Sequence, residues 1–170
     1  MELIIILLVV VQSMAISLGV GSSTLAILNF FVAIADGKID ESERRMMGIV
    51  YIVLRVAMVL ILLTVGVLTF LHYSGATTYV MAVWTLVAVL YINAILMTKH
   101  IMPSTIGPAL QASSWYTLGV MSALFSIGKA GFAPLFFYLG YAVVILFAVS
   151  LVNGTMSVLK HKREEAPKTE

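Results

Sequence analysis

Residues 3–35 have the sequence LIIILLVVVQSMAISLGVGSSTLAILNFFVAIA. This stretch contains no charged residue, and it exceeds the roughly 20 residues with which an α-helix crosses the ~30 Å hydrocarbon core of a bilayer. A cleavable signal peptide has a shorter apolar part that follows a basic segment, whereas only Met1 and Glu2 precede this stretch. The sequence therefore predicts a retained membrane-spanning helix at the start of the chain.

The rest of the 170-residue chain has the same apolar character, with 61% hydrophobic and 11% charged residues. Soluble domains carry about 25% charged residues, and the length leaves no room for a separate soluble domain. We predict an all-α polytopic membrane helix bundle of about five transmembrane helices, surrounded by the lipid bilayer and with no nucleic-acid partner. The expected spans, followed by a polar tail over residues 160–170, are residues 3–35, 46–71, 78–97, 113–127 and 134–159.

Two local signals set the expected helix boundaries. Asp40 is followed three residues later by Glu43, which predicts a capping box at the start of the second helix. Pro103 and Pro108 favour a loop before the fourth span, because proline disrupts the interior of a helix. The fourth span is thereby predicted to be short. The alternative is a re-entrant segment that does not cross the membrane, which would place the C-terminal tail on the other side.

Lysine and arginine are distributed unequally between the predicted loops, and short basic loops stay in the cytoplasm. With five spans, one side holds Lys129 alone. The other side holds Lys38, Arg44, Arg45, Lys99, Lys160, Lys162, Arg163 and Lys168. We therefore predict a multi-pass protein of a bacterial inner membrane, with its N-terminus outside and its C-terminus in the cytoplasm.

Small and polar residues of the first span recur at steps of three and four, which places them on one helical face. This face includes Gln12, Gly19, Ser22, Ser23 and Asn29. One interpretation is close helix packing, with the amide side chains bonded across helices. The other is a pathway for a solute or an ion.

Arg55 is the only charged residue well inside a predicted span, and such a charge is a functional candidate by default. The alternative is that Arg55 extends its side chain to the lipid headgroups. No Asp or Glu lies inside a predicted span. We expect a polar partner for Arg55, with Asn29 and Asn153 as the leading candidates and Asn93 as another.

Haem, metal and catalytic sites are not predicted. His72, His100 and His161 fall at span ends or in the tail, so no two of them suit one haem between helices. The chain has no cysteine, and the acidic stretch after residue 35 lacks the glycine of a calcium loop. The sequence therefore predicts no cofactor, no bound metal and no catalytic residue.

Tryptophan and tyrosine are enriched where a membrane meets water. We accordingly expect Trp115 at the cytoplasmic interface. Trp84 is expected deeper in the bundle, with a packing role.

A resemblance to other membrane proteins rests on three features of the chain: residues 18–24 (LGVGSST), the pair Phe30-Phe31 and the charged segment 36–45. Over about the first 45 residues, the chain resembles small bacterial multi-pass integral membrane proteins of unknown function. The resemblance implies a prokaryotic inner-membrane protein. It implies no activity and no site residues.

Three hypotheses for function remain open. The first is a channel or transporter for a small solute or ion, acting as a homo-oligomer. The second is a structural or accessory subunit that binds partner membrane subunits, and the third is a membrane-embedded enzyme. Polar residues around a water-filled cavity would favour the first, and a polar face against another protein would favour the second.

Overall fold

The computed structural model describes residues 2–36, 40–71, 77–103 and 105–165, and these residues form helices and no strand. The predicted all-α fold is confirmed. The five helices of the described residues are α1 (Glu2–Asp36), α2 (Glu41–Phe70), α3 (Thr77–Thr98), α4 (Ile106–Ser126) and α5 (Pro134–Glu165).

Four of these helices are long and apolar enough to cross a membrane. The qualifying segments are Glu2–Val32, Glu41–Phe70, Thr78–Thr98 and Pro134–Leu159. Each of these helices exposes large apolar side chains on its outer side, as expected of a surface covered by lipid.

The more polar helix α4 lies at the centre of the bundle, where it contacts α1, α3 and α5. Its buried side chains include three polar ones, Gln111, Ser113 and Ser114. Burial of a polar group in an apolar medium is costly unless the group is hydrogen-bonded. The central position gives α4 protein neighbours on several sides, with which its polar groups can bond.

The predicted capping box at the start of α2 is confirmed. The backbone N–H of Glu43 donates to Asp40 Oδ1 at 2.6 Å, and the backbone N–H of Asp40 donates to Glu43 Oε2 at 3.0 Å. These two bonds satisfy donors that the first turn of a helix otherwise leaves unpaired. The helix therefore includes the charged residues that precede its apolar part, and it begins at Glu41 rather than at residue 46.

Helix α4 begins at Ile106 rather than at residue 113, which corrects the sequence-based boundary. Pro108 lies in the first turn, where a backbone N–H has no acceptor within the helix, so the missing donor of proline carries little penalty there. The correction makes Gln111 part of the helix.

Helix α5 continues to Glu165, so the first part of the predicted polar tail is helical. Residues 166–170, with Lys168, lie outside the described residues, as do Lys38 and His72. The orientation inferred from the basic residues stays a prediction.

The core of the bundle forms where α1 crosses α4. Trp115 is the largest fully buried side chain among the described residues, with 0% exposure, so the prediction that it lies at the membrane interface is wrong. A Cβ atom added to Gly19 would overlap the indole ring of Trp115. The absence of a side chain at Gly19 is what lets this indole lie against the backbone of α1.

Trp84, for which a deep packing role was expected, is instead 37% exposed. Its indole Nε1 donates to Thr69 Oγ1 at 3.2 Å, which joins α3 to α2. This arrangement satisfies the one donor of an indole.

Hydroxyl pairs connect α4 to two of its neighbours. Tyr116 Oη and Thr24 Oγ1 lie 2.8 Å apart between α4 and α1. Ser114 Oγ and Tyr141 Oη lie 2.7 Å apart between α4 and α5. Hydrogen bonds between helices are one of the forces that hold membrane bundles together.

Replacement of Gly19 by leucine is expected to destabilise the bundle, because the new side chain would enter the space of the Trp115 ring. Overpacking typically costs about 1–3 kcal/mol, which corresponds to a fall in Tm of about 2–12 °C for a chain of this size. The measurement is thermal unfolding of the purified protein in detergent.

Gly21→Leu is the matched control, since a Cβ at Gly21 has no neighbouring atom within 4 Å. This variant should keep the wild-type Tm. Equal Tm values for the two variants would contradict the described crossing of α1 and α4.

Candidate functional site

A first cavity, the Gln12 cavity, lies near the N-terminal end of α1 and has a volume of about 280 Å³. The aromatic rings of Tyr79 and Phe125 stack in its wall with centroids 4.2 Å apart. Polar lining groups come from α1, α2 and α4 as well. The full lining consists of Val9, Gln12, Ser13, Val65, Leu68, Thr69, Tyr79, Val80, Val83, Ser122, Phe125 and Ser126.

A second cavity, the Arg55 cavity, has a volume of about 300 Å³. It contains the only charged side chain that lines either cavity. Its lining consists of Ser23, Ala26, Phe30, Met47, Tyr51, Leu54, Arg55, Met58, Ala94, Met97, Thr98, Pro108 and Gln111.

Both cavities are formed by the same four helices, at opposite ends of one interface. The Gln12 cavity uses early residues of α1 and α3 and late residues of α2 and α4. The Arg55 cavity uses late residues of α1 and α3 and early residues of α2 and α4. Consecutive helices that run antiparallel produce this reversal, so the two cavities share one axis along the bundle.

A closed apolar layer separates the two cavities, and we call it the barrier. On α3 the linings end at Val83 and resume at Ala94, which corresponds to about 16 Å of helix. All four helices contribute almost fully buried side chains between the cavities. The main barrier residues are Ala15, Ile61, Leu86, Leu90, Trp115 and Leu118.

Arg55 has an exposed side chain and forms no ion pair or hydrogen bond with a described residue. The expected contacts with Asn29 and Asn153 are therefore absent from the described structure, which corrects that prediction. For Asn153 the reason lies in the topology, since α5 contacts α1, α3 and α4 but, among the described residues, does not contact α2. Asn153 lies on the exposed face of α5.

Asn29 is half-buried, and its Nδ2 atom is buried without a hydrogen-bond partner among the described residues. Its neighbour Phe30 lines the Arg55 cavity.

Asn93 and Gln111 form a buried polar connection between α3 and α4. Asn93 Nδ2 donates to the backbone oxygen of Gly107 at 2.9 Å and to Gln111 Oε1 at 3.1 Å. Gln111 Nε2 approaches Met58 Sδ of α2 at 3.9 Å. Sequence reasoning misses Gln111 because the predicted spans leave residues 98–112 in a loop. Pro108, three residues before Gln111, is the signal that could have identified it, because proline is permitted in the first turn of a helix.

The small and polar face of α1 both packs closely against α4 and lines the two cavities. Gln12 and Ser23 line the two cavities, whereas Gly19 provides the close approach to Trp115. Ser22 is buried. Close packing and cavity lining therefore occupy different positions along one face.

Among the residues that the structure describes, no Asp, Glu or His lines either cavity. Within the described ranges, no group of three His, Cys, Asp or Glu side chains is placed to hold a metal ion. The described lining of the two cavities offers hydrogen-bonding groups and one positive charge.

Comparison with known proteins gives no assignment: no protein-family model matches the chain, and no curated protein and no solved structure is significantly similar to it. The class of protein is therefore defined by the fold, as an all-α bundle in which four helices are long and apolar enough to cross a membrane.

Cysteine labelling can test the positions of the cavities, because the natural chain contains no cysteine. Gln12→Cys and Ser23→Cys should react with a membrane-impermeant maleimide from opposite sides of the membrane. Leu86→Cys, in the barrier, should react from neither side until the protein is denatured. The measurement is the labelled fraction in sealed vesicles of each orientation. Labelling of Gln12→Cys and Ser23→Cys from the same side would contradict a shared axis across the membrane.

Proposed function

We propose that this protein moves a small solute across the membrane through the interface of α1, α2, α3 and α4. The observation that carries the proposal is the pair of cavities at opposite ends of one interface, with only the barrier between them. Small-molecule sites are concave and largely apolar, with a few placed polar groups. Both cavities fit that description.

Passage would require the barrier to open, because its side chains leave no room for a solute. Helices α1 and α2 contact each other extensively, whereas α2 contacts α3 only slightly. Helix α1 also packs against α4 and α5, and the contact of Gly19 with Trp115 holds α1 against α4. Movement of α2 relative to α3 would therefore be the change that widens the barrier, at the position of Ile61 on α2.

A single chain supplies the whole proposed pathway, so conduction does not depend on a central pore of an oligomer. In the orientation predicted from the basic residues, the Gln12 cavity would open to the outside and the Arg55 cavity to the cytoplasm of a bacterial cell. Each cavity would then be the entry or exit vestibule of the pathway.

Enlarging the barrier is expected to raise the permeability of reconstituted vesicles. Leu86→Ala removes a side chain that is 0% exposed in the barrier and shortens the closed section. We expect faster entry of small solutes such as glycerol and sodium acetate, measured by stopped-flow light scattering of proteoliposomes, than with the wild-type protein.

Leu63→Ala is the matched control, because Leu63 is 58% exposed on α2, outside the barrier. Its vesicles should behave like those with the wild-type protein. Unchanged permeability of Leu86→Ala for every solute, with a folded protein, would contradict a pathway through the barrier.

An accessory role is the second candidate, and the surface of α5 favours it. Asn153 is exposed on a segment whose composition suits the membrane interior, where lipid cannot satisfy an amide. Ser150, Gly154 and Ser157 are exposed nearby on the same helix, and small residues let helices approach closely. This face would contact a second copy of the chain or another membrane subunit.

Oxidative crosslinking would test this surface. Asn153→Cys should form a disulfide-linked dimer if the face contacts a second copy. Leu151→Cys is the control, because Leu151 is exposed but lies two residues before Asn153 and so on another side of α5, and it should crosslink less. The measurement is the dimer fraction on a non-reducing gel after mild oxidation in membranes. Equal crosslinking at both positions would indicate random collision.

A further inference from the structure

The Arg55 cavity offers hydrogen-bond donors and one positive charge, with no acidic residue in its lining. The hydroxyl groups of Ser23 and Thr98 donate to backbone oxygens of their own helices. The guanidinium of Arg55, the amide of Gln111 and the hydroxyl of Tyr51, which also lines the cavity, are therefore the donors available to a ligand, and only Arg55 is charged. Arg presents five N–H groups in a planar fork that matches a carboxylate.

Hydrogen bonding fixes the orientation of the Gln111 amide. Its side chain is only 8% exposed, and its Oε1 atom accepts from Asn93 Nδ2 at 3.1 Å. Its Nε2 atom has Met58 Sδ, at 3.9 Å, as its only acceptor among the described residues. A thioether sulfur is a weak acceptor, so a buried amide donor at the cavity wall lacks a strong partner.

Met58 places the donors of Arg55 and Gln111 in the same part of the cavity. Met58 follows Arg55 at the third position along α2, and positions i and i+3 are neighbours on a helix surface. Met58 in turn contacts the Gln111 amide. An anion held by Arg55 in this cavity would lie toward the side on which Gln111 can also donate.

We infer that the Arg55 cavity binds a small monocarboxylate with an apolar body, with its carboxylate at Arg55 and Gln111. One guanidinium balances one negative charge, which favours a monoanion. The remaining lining is mostly apolar and includes Phe30, Leu54 and Met97. An apolar body would fill this part of the cavity, whereas inorganic phosphate would leave its walls unoccupied. This inference rests on the proposed function and names the class of solute that would be moved.

The volume of about 300 Å³ lies at the lower end of the range of about 300–1,000 Å³ for small-molecule sites. A short-chain carboxylate matches that size. A lipid phosphate offers the same negative charge to Arg55, so the experiment must separate a soluble carboxylate from a headgroup.

The test uses hexanoate as the probe and its uncharged analogue hexanamide as the comparison. Binding to the full chain in nanodiscs of phosphatidylcholine is measured by ligand-observed NMR titration. Hexanoate should bind and hexanamide should bind much more weakly. Arg55→Gln should weaken hexanoate binding by roughly 10- to 100-fold, as expected for the loss of a charged hydrogen bond. Arg55→Lys should recover only part of that loss, because the planar fork is missing.

Arg45→Gln is the matched control, since Arg45 is an exposed arginine of α2 that lines neither cavity. It should leave the dissociation constant of hexanoate unchanged. Gln111→Met should weaken binding less than Arg55→Gln, because it removes a neutral donor. Arg55 has no hydrogen bond or ion pair with a described residue, so its variants should keep the wild-type Tm.

Three results would overturn the inference: equal binding of hexanoate and hexanamide, unchanged hexanoate binding by Arg55→Gln, or no hexanoate binding in phosphatidylcholine. In the last case, retention of phosphatidylglycerol by the purified wild-type protein and its loss from Arg55→Gln would assign Arg55 to a lipid headgroup. The permeability assay separates this failure from that of the proposed function. Hexanoate binding with no effect of Leu86→Ala on permeability would reject transport alone, whereas permeability through the barrier without hexanoate binding would reject the solute class alone.

Discussion

The contact between the Trp115 indole and the backbone of Gly19 is the constraint on which the rest of the bundle depends. It lets the largest fully buried side chain of α4 occupy the space that a side chain on α1 would need. Both residues lie, along their helices, between the residues that line the two cavities. The contact therefore fixes the distance between α1 and α4 at the barrier and leaves the cavities on either side of it.

The polar groups of α4 connect the same central helix to its neighbours. Tyr116 bonds to α1, Ser114 to α5 and Gln111 to α3. In a medium of low dielectric constant, each bond also removes the penalty of an unpaired polar group. The helix that is least suited to lipid is thus the one with the most protein around it, and its polarity specifies its position.

The fold could be predicted from the sequence because long apolar helices follow from composition alone, and the capping box at Asp40 followed from spacing. The start of α4 could not, because the rule against proline inside helices does not apply to a first turn. Because of that error, Gln111 was not recognised as a helical residue that faces the bundle. The position of Trp115 was also wrong, because an aromatic residue suits both an interface and a core. Only a tertiary contact with Gly19 decides between them.

The candidate site was predicted in part. Gln12, Ser23 and Arg55 line cavities, but Asn29, Asn153 and Arg55 do not come together. Depth along a helix can be counted from sequence, whereas the choice of neighbouring helices cannot. Since α5 lies away from α2, residues at related depths on these two helices remain apart.

The modest apolarity of α4 has a consequence for how the protein is made. Entry of a segment into the bilayer during synthesis depends on its own hydrophobicity, and α4 is not among the four helices of the described chain that meet that requirement. Its partners α1 and α3 precede it in the chain, and α5 follows. Stable insertion of α4 would therefore come after α1 and α3 are in place to receive it, and biogenesis would be completed by α5. The order of helices along the chain would then serve as an assembly sequence in which the most polar segment enters a site already built for it.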